Sequence, residues 1–256
     1  MLSFFRRILV TLVISCGVIL AGAFWLAPMA LSFYIAKTVP AVAGVIPTDL
    51  SDHSVSQAPG LRLSYVGYDF DVPWNDLDDA KTVLYPKHKR EKTEVVLAFH
   101  SGLRLVVTAV PAREFAREFA AEFTTSPQQP RTSDYVLARD IYEFSPEKMH
   151  YLSLSSELQS RDQAMLNLKS ILSAKPAENG IFNIQSASYK GFQQGNPRVR
   201  QDSLLITLYS DGGSVQLKFW QKDYPAGVTQ AEINRIVQSL QPSTAHENYA
   251  IAKSER

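Results

Sequence analysis

The chain has 256 residues, 45% of them hydrophobic and 20% charged, with a formal net charge of +1. That balance is globular, and the length suffices for one ordinary domain with its own core. The near-neutral charge excludes the broad basic face that nucleic-acid binding needs, and the single cysteine, Cys16, excludes a disulfide framework.

Arg6, Arg7 and Lys37 are the only charges before Asp49; setting them aside leaves 23 basic and 25 acidic residues. Between them, residues 8–36 form a run of 29 residues without a charge. About 20 helical residues cross a hydrocarbon core of about 30 Å, so the run predicts a transmembrane helix with some tilt. Gly17, Gly22 and Pro28 are tolerated in such helices, and Trp25, Phe33 and Tyr34 fall toward the end that meets the headgroups. The two arginines ahead of the run place the N-terminus in the cytoplasm and the rest of the chain outside it. The expectation is a single-pass signal anchor in the cell (inner) membrane, with the lipid bilayer as partner through residues 8–36. Two other readings keep the same destination. Ala21-Gly22-Ala23 fits a signal-peptidase site, and Val13-Ile14-Ser15-Cys16 resembles a loose lipobox. Against both, the chain stays apolar well past Cys16 and Ala23.

Residues 38–60, with Pro40, Gly44, Pro47, Pro59 and Gly60, read as a linker or an irregular first layer. Residues 61–73 alternate loosely and predict two short strands broken at Gly67. The β-branched runs 93–100 and 103–110, joined by Ser101-Gly102, predict a hairpin in a sheet covered on both faces for part of its length. Pro111 is expected to open a helix over 112–123, in which Phe115, Phe119 and Phe123 form a stripe of core type. Residues 133–144 read as a second helix, Ser145-Pro146 as another start, and Ser160-Arg161-Asp162-Gln163 as a capping box. Ala164, Leu168, Ile171 and Leu172 are its apolar face.

Strands return at 181–188, 199–209 and 214–222. Asp211-Gly212 between the last two predicts a type I′ hairpin, with Leu204, Ile206 and Leu208 facing Val215, Leu217 and Phe219. Thr229 and Glu232 form a capping box for a last helix ending before Pro242, and residues 243–256 are a polar tail. The fold class is therefore α+β: an N-terminal transmembrane helix plus an antiparallel sheet packed with several helices. The organisation is an anchor over 1–37, a linker over 38–60, an extracytoplasmic domain over 61–242 and a tail. The ending (the hairpin of 204–209 and 215–220, then Gly227-Val228-Thr229 and a short helix closing at Ser239-Leu240) resembles the tail of PsbP/Mog1-like domains over about 45 residues. The resemblance implies a binding module by analogy.

No motif for a cofactor or metal stands out. Asp69, Asp71, Asn75, Asp76, Asp78 and Asp79 cluster but lack the spacing and closing glutamate of a calcium loop. Lys87, Lys89, Arg90 and Lys92 form the densest basic patch, a candidate surface for anionic headgroups or an acidic partner. His100-Ser101-Gly102 invites a hydrolase reading, but the nucleophile elbow needs a strand-to-helix turn and a strand follows here. Trp74, Trp220, Tyr68, Phe192 and Tyr224 are candidates for an apolar binding groove. The functional expectation is a membrane-tethered interaction or assembly module without catalytic activity, partnered by another envelope protein. A small-molecule or lipid-binding domain is the alternative, and an envelope hydrolase the third.

Overall fold

A computed structural model describes residues 44–85, 93–114, 133–148 and 156–243. Strand β10 (Gly213–Trp220) is the centre of the fold, with β9 (Ser203–Ser210) on one side and β6 (Arg104–Pro111) on the other. Both pairings are antiparallel, and period-two alternation puts every second side chain on one face. The registers line up Leu105, Phe219 and Leu204 in one row and Val107, Leu217 and Ile206 in the next. All six are fully buried. Strand β5 (Thr93–Ala98) adds Leu97 and Val95 to the same rows. The hairpin strands β7 (Ile181–Gln185) and β8 (Lys190–Gln194) join beyond β9, and β4 (Val83–Tyr85) joins beyond β5.

The eighth strand corrects the antiparallel expectation. β1 (Thr48–Asp49) pairs parallel with β7, Thr48 opposite Phe182, so the sheet is mixed. It lies in the stretch read as linker or irregular layer. Asn183 Nδ2 donates to Asp49 Oδ1 at 2.8 Å, and Asn234 Nδ2 donates to the carbonyls of Asp52 and Ser54. Hydrogen bonds thus fasten residues 49–56 to the body of the domain.

One face of the sheet is covered by helix α3 (Gln230–Ser239) and a small sheet of β2 (Leu61–Tyr65), β3 (Tyr68–Val72) and β11 (Gln241–Pro242). The cap of α3 forms as its sequence requires: Glu232 N donates to Thr229 Oγ1, and Thr229 N to Glu232 Oε2. Ile233, Ile236 and Val237 then reach the core with Phe70, Val72 and Trp74. The other face is covered near β8 and β9 by α1 (Asp134–Glu143) and α2 (Ser156–Leu172). Here Phe192 stacks on Tyr135 at 5.8 Å and meets Tyr142 at 4.8 Å between ring centroids.

Several local expectations are revised. Pro111 ends β6 opposite Gly213, past the end of β5, where its missing N–H interrupts no ladder between strands. Arg113 has φ 62°, which no helix starting at Ala112 accommodates. The Phe115, Phe119 and Phe123 stripe lies outside the described residues, as do the basic residues Lys87, Lys89, Arg90 and Lys92. Helix α2 is already under way at Ser156, so Ser160 and Gln163 are interior to it. Among residues 161–172 its buried positions are Asp162, Leu166, Leu168 and Lys169, and Ile171 is 69% exposed. The Asp211-Gly212 turn is not type I′, since neither residue has positive φ; that conformation falls on Gly213 (φ 142°). The two consecutive positive φ values of a type I′ turn occur instead at Val66 (50°) and Gly67 (82°), joining β2 to β3. A β-branched residue there is uncommon, and its packing against the core is the offsetting contact.

No helix among the described residues is long and apolar enough to cross a membrane. The run 8–36 lies outside them. The burial pattern predicts that Leu217→Ala costs about 2–5 kcal/mol, whereas Ile171→Ala stays within about 0.5 kcal/mol of the parent. Urea titration of the detergent-solubilised chain, read by tryptophan fluorescence, checks both.

Candidate functional site

The five aromatic residues are not gathered into one groove. Trp74 follows β3 and is only 7% exposed. Its ring meets Phe99 at 5.3 Å and Phe219 at 6.4 Å, both edge-to-face, and its indole N–H donates to Glu232 Oε1 at 3.1 Å. Glu232 thus caps α3 with one carboxylate oxygen and holds Trp74 with the other. Tyr224 and Tyr68 are partly buried beside this cluster. Burial raises the pKa of both, and the Glu232 carboxylate adds to the effect at Tyr224. Phe192 lies on the opposite face of the sheet, under α1. Trp220 points to solvent, 45% exposed, with Lys218 Nζ 4.3 Å from its ring centroid. Three of the five therefore share one packed region, one belongs to a second core, and one is surface.

The surface depressions lie elsewhere. One of about 360 Å³ is bounded by Val55, Ser56, Gln57, Asp71, Arg235, Gln238 and Ser239, where the 52–58 segment crosses α3. A second of about 310 Å³ sits at the β7–β8 and β9–β10 turns, with Ser133, Tyr135, Ser186, Lys190, Tyr209 and Asp211 on its walls. Both are lined largely by polar groups, unlike the apolar pocket that a lipid or small-molecule site between sheet and helices requires.

The acidic cluster is divided among separate tasks. Asp71 pairs with Arg62 at 3.0 Å across the β2–β3 hairpin. Asp76 accepts from the Ser101 N–H at 2.8 Å, which ties the β5–β6 turn to the loop before β4. Asp78, its side chain 8% exposed, lies 3.0 Å from Lys81 Nζ and 3.6 Å from His100 Nδ1. The hydrogen bond from Lys81, reinforced by the charges of Lys81 and His100, holds its carboxyl below the usual range. Among the described residues no three His, Cys, Asp or Glu side chains converge as metal ligands. His100 is 67% exposed on a hairpin turn, and its contact is Asp78; Ser101 beside it contributes its backbone N–H to the turn. This arrangement supplies no enclosed nucleophile–base pair.

Among the described residues, the most perturbed basic group lies outside the sequence candidates. Lys169 of α2 is fully buried, and its Nζ donates to the Phe144 carbonyl at the C-terminus of α1, 2.7 Å away. A cation there suits the negative end of the helix dipole. Burial, with the charge of Lys148 adding to it, lowers its pKa to about 8. Its position one turn from Leu166 on the buried face is the signal in the sequence, legible only once the face is known. Two adjacent glutamines were likewise invisible as structural groups. Gln193 exchanges hydrogen bonds with Gln230 of α3 at 2.8 and 3.0 Å, on the core face. Gln194, on the other face, donates to Tyr142 Oη at 2.7 Å and accepts from the Ala174 N–H at 2.7 Å.

Lys169 gives a signed pH dependence. Its folded pKa is lowered, so the unfolded chain binds more protons between about pH 8 and its ordinary pKa, and stability rises with pH in that window. Tyrosines act oppositely: Tyr189, raised to about 12 chiefly by burial, withdraws stability only above its unfolded pKa of about 10. Between about pH 8 and about 9.5 the parent therefore gains stability relative to Lys169→Met, measured as the difference in thermal midpoint. A difference that stays constant across that window contradicts the assignment.

Compared with known proteins, the chain matches no family model, no curated sequence and no solved structure.

Proposed function

We propose that the protein is a single-pass membrane protein whose α+β domain stands outside the cytoplasm and serves as a non-catalytic interaction or assembly module. The uncharged run 8–36 behind Arg6 and Arg7 supports the tether and its direction. The resemblance of the final hairpin and helix to PsbP/Mog1-like domains supports a binding role by analogy.

The observation that carries the reading is the free edge of the eight-stranded sheet. Strand β4 pairs with β5 alone among the described residues, and none of these residues pairs with its outer backbone edge. Val83, Leu84 and Tyr85 are 43%, 43% and 46% exposed. Soluble domains blunt such edges with short strands, charge or proline; here Lys81 and Pro86 bracket the strand, and between them Val83–Tyr85 remain a short apolar edge of the kind that takes up an added strand. Seven strand spacings, about 34 Å, separate it from β1, where the chain enters the domain. A tethered domain would hold that edge away from its own anchor and toward a neighbour in the envelope.

A photo-reactive residue at Leu84 tests this in intact membranes. The expectation is a discrete cross-linked product at Leu84 that is absent when the probe stands at Gln216, and protease access to the domain from the outer side only. A domain digested from the cytoplasmic side overturns the topology. Equal cross-linking at both positions removes the edge as the docking site.

A further inference from the structure

Seven large apolar side chains are exposed among the described residues. Three are on β4. The other four, Ile46, Ile171, Val199 and Trp220, lie at one end of the sheet on four different elements, spread from β1 to β10. Their placement follows from the pairing. β1 runs parallel to β7 with Thr48 opposite Phe182, so Ile46 projects past the start of β7. Helix α2 ends at the same place: Gln194 Nε2 donates to the Leu172 carbonyl, and the Gly195 N–H to the Gly180 carbonyl just before β7. Ile171 is there, 69% exposed. The loop from β8 to β9 carries Val199 and is held at this end by Asn179 Nδ2 on Gln201 Oε1, 2.9 Å. Trp220 ends β10 opposite Ser203, and the Gln221 N–H donates to the Asp202 carbonyl in that loop. Trp220 shares the α1–α2 face of the sheet with Gln194, since both lie opposite β9 residues of one alternation set.

The charges around these tips are arranged as at a water–lipid boundary. Lys175, Arg198 and Arg200 are exposed there, Arg198 and Arg200 flanking Val199, and Lys218 lies over the Trp220 ring. Glu178, Asp202 and Asp223 are exposed at the same end, the 76–79 loop with its aspartates lies there against the β5–β6 turn, and Asp52 faces Arg198, so the patch is mixed rather than a pure basic field. Apolar tips and a tryptophan among long basic side chains, whose stems extend along the apolar surface, suit the headgroup region. The far ends of the same strands differ. The β7–β8 and β9–β10 turns carry Ser186, Ser188, Lys190, Ser210 and Asp211 and no exposed large apolar side chain.

Where the chain enters decides the occupant. Nine residue steps separate Ala36, the end of the uncharged run, from Val45, which packs beside Leu172 against the Phe192 core. Fully extended, they reach roughly 30 Å. We infer that this end of the domain rests on the bilayer in which residues 8–36 are embedded, with Ile171, Val199 and Trp220 inserted at headgroup depth. The inference rests on the tether proposed above; it fixes which surface the tether draws down and leaves β4 facing sideways along the membrane for a partner.

The test uses the full chain with Cys16→Ser, reconstituted in phosphatidylcholine–phosphatidylglycerol vesicles. Ile171→Cys, Val199→Cys and, as control, Ser188→Cys are each labelled with an environment-sensitive fluorophore. Lipids with a nitroxide near the headgroup are then added as quencher. Apolar faces at an interface sit about 5–10 Å into the headgroup–acyl boundary, so roughly half or more of the emission is lost at residues 171 and 199 and little at 188. Alkaline carbonate extraction of the same vesicles reads the tether separately. Release of the chain by carbonate overturns the tether and the inference with it. Retention with no quenching, or with equal quenching at 188, overturns the inference alone. A label at 171 that is shielded from water yet unquenched assigns the patch to another protein surface and overturns it as well.

Discussion

The fold depends on the register of β10 between β9 and β6. Because side chains alternate at every residue, a slip of one position on either side would send Leu204, Ile206 and Leu208, or Leu105 and Val107, to the opposite face. The correct register gives fully buried rows, which α3 covers with Ile233, Ile236 and Val237 and the small sheet with Phe70 and Val72. The helix in turn positions Glu232, which fixes Trp74, and Gln230 and Asn234, which gather β8 and the 52–54 segment. Gln193 and Gln230, buried in this layer, satisfy each other because the packing brings them within reach, and a mismatch would leave donors stranded at a cost of roughly 1–3 kcal/mol each.

Strand β8 shows how one element serves both cores. Its last two residues, Gln193 and Gln194, are almost completely inaccessible and point to opposite faces. One engages α3 and the other engages α1 and the end of α2 through Tyr142 Oη and the Leu172 carbonyl. The helical layers on the two sides are thereby indexed to the same two residues. Gly191 makes room for this: a Cβ there would lie 1.9 Å from the Thr207 carbonyl oxygen of the neighbouring strand. Lys169 completes the α1–α2 pair by donating to the end of α1, so these helices are joined by polar contacts as much as by apolar ones.

Elements with two agreeing signals were legible in the sequence. The final helix had a capping box and an apolar stripe, and the β9–β10 hairpin had facing alternations of equal length; both appear with the expected residues inward. Single signals misled. Pro111 suits a helix start, but the strand pairing runs on to include it. The Ser160 box repeats a spacing also present at Ser156 and Gln159, one turn earlier. Asp-Gly has the composition of a type I′ turn, yet the positive φ moved to Gly213. The parallel pairing of β1 was illegible because two residues carry no period, and their partner lies more than a hundred residues away. The aromatic candidates fared as their burial decided. Trp74 and Phe192 are core, and Trp220 is exposed because its alternation partner Phe219 takes the inward position.

The order of strands in space bears on how the domain comes into being. β6 must pair with β10, more than a hundred residues later, and β1 has no partner until β7 exists. Non-local pairing of this kind is slow, since loop closure precedes any reward from contacts. A chain that emerges in N-to-C order exposes β5 and β6, rich in valine and leucine, before the strand that covers them arrives. The segment 93–111 is thus open to mispairing while the domain folds. Protection of that segment until residues 213–220 are available to pair is a demand that the topology itself places on the folding chain.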